Sequence, residues 1–201
     1  MSSTPPQRRS DTRQRIQDVA LELFSEQGYE KTSLREIAER LDVTKAALYY
    51  HFKTKEDILV SIFRDLASPM DELIAWAREQ PPGLETKIEV LRRYSLLLGR
   101  AAPFVRFMQE NQAAVRELSI GTDFRDRMLD VLALVRNPEG ELSDDMRCVS
   151  ALLAMHASMH IGVFGLRARH ISPEERRQAA LDVAIELVTA AHRAGTEAET
   201  S

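Results

Sequence analysis

With a single cysteine, Cys148, the chain has no internal disulfide framework and must be held together by packing. Cys148 lies in an apolar helical stretch and reads there as a small buried hydrophobe; redox sensing would need an exposed thiolate of low pKa. No apolar run reaches the roughly 18 to 20 residues that cross a bilayer. The polar start, Met1 to Ser10, lacks the apolar stretch of a secretory signal. A cytoplasmic protein without a membrane segment is expected. Runs of alternating β-branched residues are absent too, so the fold class reads all-α. Also missing are a glycine-rich phosphate loop, a nucleophile elbow and a clustered Asp, His and Ser set. Enzyme chemistry, the competing class, therefore has no residues to carry it, and no cofactor is expected.

What is present is an ordinary globular composition, 44% hydrophobic and 29% charged, with a charge that is unevenly spread. The net charge of −4 hides a front segment, residues 1–55, with ten Lys or Arg against eight Asp or Glu. The remainder carries the acidic excess, so only the front end suits a polyanion. Its bases gather in the arm before the first helix and around Lys45 to Lys55.

From about Asp11 to Gln27, Ile16, Val19, Ala20, Leu23 and Phe24 follow the spacing of one helix face, and Gly28 stops that helix. Ser33 and Glu36 form a capping box for a second helix whose buried face is Leu34, Ile37, Ala38 and Leu41. After a turn at Leu41-Asp42-Val43, Thr44 caps a third helix to about His51. Thr54-Lys55-Glu56-Asp57 opens a fourth, striped by Ile58, Leu59, Ile62, Phe63 and Leu66. This is a helix-turn-helix module. The expected organisation is a basic arm at 1–10, a DNA-binding domain at 11–54, a helical effector-binding and dimerisation domain at 55–194, and a tail at 195–201.

In the third helix Leu48 and Phe52 are an i, i+4 pair that anchors it inward and leaves Thr44, Lys45, Ala46, Ala47, Tyr49, Tyr50 and His51 outward. Two adjacent tyrosines cannot both enter so small a core. Their hydroxyls can donate to phosphates or base edges, the small alanines allow close approach to the major groove, and Lys45 reaches guanine or phosphate. Lys53 and Lys55 lie where the helix exits toward the DNA backbone. Thr32 and Ser33 are expected to add exposed amides and hydroxyls for a phosphate at the second helix. The competing reading of Tyr49 to Phe52 is an aromatic core corner.

Gly28-Tyr29, Thr32-Ser33, Ile37-Ala38, Leu41-Asp42-Val43 and above all Leu48-Tyr49-Tyr50-His51-Phe52 with Lys55 resemble the TetR family of regulators, over about residues 11 to 65. The resemblance implies that Tyr49 and Lys55, and Thr32 and Ser33, hold phosphates of operator DNA, while Lys45, Ala47, Tyr50 and His51 face the groove. Ala46 stands where such proteins often have glycine. It further implies a homodimer joined through the last two helices, a ligand cavity in the central helices, and release of DNA on ligand binding.

Beyond the module, Pro69, Pro81-Pro82-Gly83, Pro103, Asn137-Pro138 and Ser172-Pro173 punctuate helical text. The stretch from Ser143 to about Ala168 is apolar on nearly every face and is expected to be buried all round. Ser172-Pro173-Glu174-Glu175 caps the last helix, with Ala180, Val183, Ala184, Leu187, Val188 and Ala191 on one side; both final helices could pack on their copies in a second subunit. Trp76, Tyr94, Phe104, Phe107, Met108, Phe124, Met128, Met155, Met159 and Phe164 are numerous enough to line an apolar effector cavity, although each alone also fits plain core. His156 and His160 share a helix face and could orient a ligand, make interface hydrogen bonds or bind metal; Ala157 removes the zinc-protease reading. Arg92, Arg93 and Arg100 suit an anionic ligand head or a solvated face. The expectation is a repressor that binds a palindromic operator as a dimer and is released by an apolar or amphipathic small molecule. A purely architectural DNA binder would not need so large an apolar body.

Overall fold

The computed structural model describes residues 6–111, 120–159 and 171–198. Among these residues there are eight helices and no strand: α1 (Pro6–Gln27), α2 (Leu34–Arg40), α3 (Lys45–His51), α4 (Lys55–Arg78), α5 (Leu84–Glu110), α6 (Ile120–Val135), α7 (Leu142–Ala157) and α8 (Pro173–Ala198). No helix among the described residues is long and apolar enough to cross a membrane. Packing divides the chain into two compact units, Met1–Ala67 with Pro103–Thr122, and Ser68–Ala102 with Asp123–Ser201. The first unit thus runs past Thr54 and takes in a stretch far away in sequence.

In the first unit α1 starts at Pro6, five residues before Asp11. Apolar spacing marks only the part of a helix that is buried, while Pro6 at the first helical position is favoured because its fixed φ and missing N–H cost nothing there. Ile16, Ala20, Leu23 and Phe24 are buried along α1. Gly28 ends it at φ 91°, its N–H donating to the Phe24 carbonyl at 3.1 Å. The Ser33–Glu36 capping box is complete: Glu36 N–H donates to Ser33 Oγ, and Ser33 N–H donates to Glu36 Oε2 at 2.7 Å. The Ser33 hydroxyl also donates to Glu36, and this bond above all holds the Glu36 carboxyl below its ordinary pKa. At α3, Thr44 Oγ1 accepts from Ala47 N–H at 3.2 Å. At α4, Thr54 and Asp57 cap each other, Asp57 N–H donating to Thr54 Oγ1 and Thr54 N–H to Asp57 Oδ2, both at 3.0 Å.

The turn between α2 and α3 is closed by two reverse bonds, from Val43 N–H to the Ala38 carbonyl at 3.0 Å and from Asp42 N–H to Glu39 at 3.2 Å. That pattern needs a left-handed residue between them, and Asp42 supplies it at φ 54°. Beneath the turn, Ile37, Ala38, Leu41, Leu48 and Phe52 join Ile58, Leu59, Ile62 and Phe63 of α4 in the buried set. α1 is tied to α4 by buried Gln17, whose amide donates to Ser61 Oγ at 2.9 Å and to Asp65 Oδ2 at 2.5 Å.

The second unit buries one face of each of five helices. Met70, Leu73, Ile74 and Ala77 of α4 meet Val90, Leu91, Tyr94 and Leu98 of α5, Val131 and Val135 of α6, Cys148, Ala151, Leu152 and Met155 of α7, and Leu181, Ala184, Val188 and Ala191 of α8. Cys148 is the buried small residue the sequence suggested, its thiol facing the Val135 carbonyl at 3.5 Å. Burial pushes its pKa up. Asp71 clamps Arg127 through two bonds of 2.8 and 3.0 Å, and Arg78 pairs with Asp130. The Ser172–Glu175 capping box also forms.

Two expectations need correction. Pro69 and Pro103 do not interrupt their helices; α4 and α5 continue through them, because a long helix with regular turns before and after the proline tolerates the one lost amide donor. Nor is α7 buried all round: Leu142, Met146 and Leu153 are 77%, 56% and 60% exposed. They recur along one side, and the core contacts of α7 are all made by the other, so a single chain leaves that side open. The remainder of the apolar stretch, residues 160–168, lies outside the described residues.

The left-handed Asp42 makes a simple test of the turn. Asp42→Val should lower stability by about 1–2 kcal/mol in urea unfolding, whereas Asp42→Gly, which takes positive φ freely, should leave it within about 0.5 kcal/mol of wild type.

Candidate nucleic-acid interface

The geometry of α3 follows from two side chains. Leu48 and Phe52 are buried, and the seven-residue helix between its caps has little else to fix it. With those two inward, Thr44, Lys45, Ala46 and Ala47 are exposed and Tyr50 is 63% exposed, the highest value for an aromatic ring among the described large hydrophobics. Tyr49 and His51 are half-buried. The core-corner reading of the four aromatic positions therefore holds only for Phe52. Tyr50 meets the His51 ring edge-on at 5.4 Å, and Lys45 Nζ stands 5.6 Å from the Tyr49 ring. Lys53 Nζ donates to the Tyr49 carbonyl at 2.7 Å, a cation on the negative end of α3. Arg13 of α1 lies over Phe52 from outside, at 4.5 Å.

The neighbouring groups differ from expectation. Thr32 is not exposed: it is 3% accessible, and its hydroxyl donates to the Gly28 carbonyl at 2.9 Å. Its N–H donates to the Tyr29 carbonyl at 3.2 Å, so it latches the turn and offers nothing outward. Ser33 is exposed, but its hydroxyl is committed to Glu36, whose carboxylate occupies the place an anion would take. Lys55 is also committed. Its ammonium donates to the Tyr29 carbonyl at 2.9 Å, lies 4.2 Å from the centre of the Tyr29 ring and 3.8 Å from Glu30.

Tyr29 was named from the sequence only within the Gly28-Tyr29 pair and given no role, yet the turn is built round it. Buried itself, it donates its hydroxyl to Glu56 Oε1 at 2.9 Å and its N–H to Asn111 Oδ1 at 3.3 Å. Burial and then the Glu56 contact raise its pKa well above the ordinary tyrosine value. Burial alone would raise Glu56, but bonds from its own amide, from Tyr29 and from Thr54 outweigh that and hold it lower. Only the pairing of Gly28 with an aromatic residue hinted at this in the sequence.

The candidate effector residues separate into two groups. Phe104 and Phe107 lie in the first unit, where Phe107 stacks on Phe24 at 5.6 Å and Phe104 meets Phe63 at 6.3 Å. They are core of the first unit, because the end of α5 packs there. In the second unit Tyr94 is fully buried and hydrogen-bonds His156 Nε2 at 3.0 Å; Phe124 meets the same imidazole edge-on at 6.0 Å. The Leu152 carbonyl lies 2.7 Å from His156 Nδ1 and can only accept, so Nδ1 carries a proton, and in the neutral ring the Tyr94 hydroxyl donates to Nε2. Met155 is buried there, Met128 and Met159 half-buried. Trp76 is half-buried with the Arg93 guanidinium 3.7 Å from its ring centre. Arg92 and Arg93 pair with Glu89, as a solvated face does. The Met108 side chain, His160 and Phe164 lie outside the described residues. Among the described residues no group of three or more His, Cys, Asp or Glu is placed to hold a metal.

Residues 16–62 match the family model of bacterial regulatory proteins, tetR family. The HTH-type transcriptional regulator AcrR of Shigella flexneri is 43% identical over 83 residues, covering 41% of this chain and 39% of that protein. The biofilm operon negative transcriptional regulator IcaR of Staphylococcus aureus (strain Newman) is 50% identical over 44 residues, 22% of this chain and 24% of that protein. The matched segments thus span less than half the length of these curated relatives. A transcriptional regulator from Saccharomonospora viridis, so described provisionally and solved in complex with choline, shares the fold at TM-score 0.59 and 20% identity, over 86% of this chain and 95% of that one. The likeness to the tetR family of bacterial regulatory proteins is therefore carried by the helix-turn-helix segment, residues 16–62.

Proposed function

We propose that the chain is a transcriptional repressor that binds double-stranded DNA as a homodimer and releases it when a small molecule binds the second unit. The observation that carries this reading is α3 itself, capped at its start, sunk by Leu48 and Phe52, and outward with Thr44, Lys45, Ala46, Ala47 and Tyr50. Alanines at the leading end let the helix enter the major groove closely. Tyr50 and Lys45 then read base edges, with His51 beside them, while the Tyr49 hydroxyl holds a phosphate. Lys55, already seated on Tyr29, contributes by fixing the turn. Relatives named as transcriptional regulators, one of them negative, support repression.

The open side of α7 supports a dimer. Leu142, Met146 and Leu153 make an apolar side of α7 that a second copy would cover, and Val183 of α8 is exposed as well. Two heads related by a two-fold axis call for a palindromic site with half-sites about one helical turn, or a multiple, apart. The effector would lie by Tyr94, Phe124, Met155 and His156. The choline complex of a protein with this fold supports a small amphipathic ligand. Continuous helices α4 and α5 contribute residues to both units and give such binding a route to the DNA-reading half.

Three measurements check the proposal. On a duplex enriched by the chain from a random pool, Lys45→Ala should lower the slope of log affinity against log salt by about 0.9, and Tyr50→Ala should weaken specific binding by about 1–3 kcal/mol. Undiminished binding by Tyr49→Ala would overturn the role given to that hydroxyl. In sedimentation, Met146→Glu with Leu153→Glu should turn the dimer into monomers, and a dimer that persists removes this face from the interface. In a thermal-shift screen of choline, other amphipathic molecules and divalent metals, an organic molecule should raise the melting temperature and weaken DNA binding; stabilisation by metals alone would refute the ligand class.

A further inference from the structure

We infer that Asn111 is a positioning residue for DNA reading, acting through the backbone of Tyr29. It rests on the repressor reading above, and it lies well beyond residues 16–62, the segment that matches the family model.

Asn111 follows the last turn of α5 and is counted with the first unit. Both ends of its amide are engaged there. Oδ1 accepts from Tyr29 N–H at 3.3 Å, and Nδ2 donates to the Phe107 carbonyl at 2.9 Å. Its backbone N–H donates to the same carbonyl at 3.0 Å, so the side chain is held against the helix end rather than swinging free. Phe107 in turn stacks on Phe24 and meets the Tyr29 ring edge-on at 6.2 Å. The Gly28–Thr32 turn is thereby fixed from a segment 82 residues away in sequence.

That turn passes the constraint on. The Tyr29 hydroxyl fixes Glu56 and its ring and carbonyl fix Lys55, the first two residues of α4. Immediately before them, Lys53 N–H and Thr54 N–H both donate to Asp57, and Lys53 Nζ donates to the Tyr49 carbonyl at the end of α3. From Asn111 to Tyr49 the links are hydrogen bonds and ring contacts, joined by the covalent stretch Lys53–Asp57. An amide that leaves its partner unmet in a buried turn costs more than the bond itself, so loss of Oδ1 loosens the turn first and the seating of α3 second. Asn111 touches no outward residue of α3, and its effect is on placement alone.

The test uses the full chain and a duplex it has enriched from a random pool. Asn111→Ala should speed hydrogen exchange at the Tyr29 amide and weaken binding about three- to tenfold, with the salt slope unchanged because no phosphate contact is removed. Asn111→Asp keeps the acceptor for Tyr29 N–H but loses the Nδ2 donor to the Phe107 carbonyl, and should restore both in part. If the alanine chain fails to fold, Asn111→Ser, which shortens the acceptor without emptying the position, takes its place. Wild-type affinity in the truncated variant below its melting temperature overturns the inference. So does a slope lowered by about one, which would make Asn111 a direct phosphate contact, or an aspartate variant as weak as the alanine. A wild-type chain that enriches no duplex fails earlier, at the repressor reading, and removes this inference with it.

Discussion

Seven residues are too few for a helix to be stable in water, since nucleation costs more than so short a run of hydrogen bonds returns. α3 exists because Leu48 and Phe52 are buried with Ile37, Ala38 and the stripe of α4. Everything proposed for DNA depends on that burial. It forms the helix and decides which side faces out, and it leaves Lys45, Ala46, Ala47 and Tyr50 no alternative to solvent. The caps at Thr44 and Thr54 then fix where the helix begins and where the next resumes.

Round this small helix the polar groups are satisfied locally, which narrows what can meet DNA. Thr32, Ser33 and Lys55 carry the residue types of phosphate contacts but spend their donors on Gly28, Glu36 and Tyr29. α3 is left with the outward residues Lys45, Ala46, Ala47 and Tyr50, and Lys53 just after it is exposed too. The aromatic group Phe24, Tyr29, Phe104 and Phe107 supplies the rigid seat behind it, with rings 5.0 to 6.2 Å apart in tilted, stacked and edge-on pairs.

Much of this was legible in the residues because it is local. Gly28 at a helix end, the Ser33–Glu36 and Ser172–Glu175 boxes, and the Leu48–Phe52 anchor each rest on spacings of a turn or less, and each is present. The all-helical class likewise needed only periodicity. What escaped was set by distant contacts. No spacing rule says that Phe104 and Phe107 join Phe24 rather than Tyr94, or that Thr32 turns its hydroxyl inward. Pro69 reads as punctuation in a sequence and is a minor defect inside a packed helix of 24 residues. The apolar stretch of α7 was visible, but periodicity cannot tell a side facing its own chain from one facing another.

The open side of α7 has a consequence for dose. An apolar stripe that is quiet only when covered makes the competent species a product of two concentrations, so when single chains predominate, halving the protein leaves about a quarter of the pairs. Leu142, Met146 and Leu153 would then set a threshold. On the proposed repressor reading, chains below it would be too dilute to occupy a DNA site, and above it a modest rise in synthesis would close the gene sharply, before any small molecule acts.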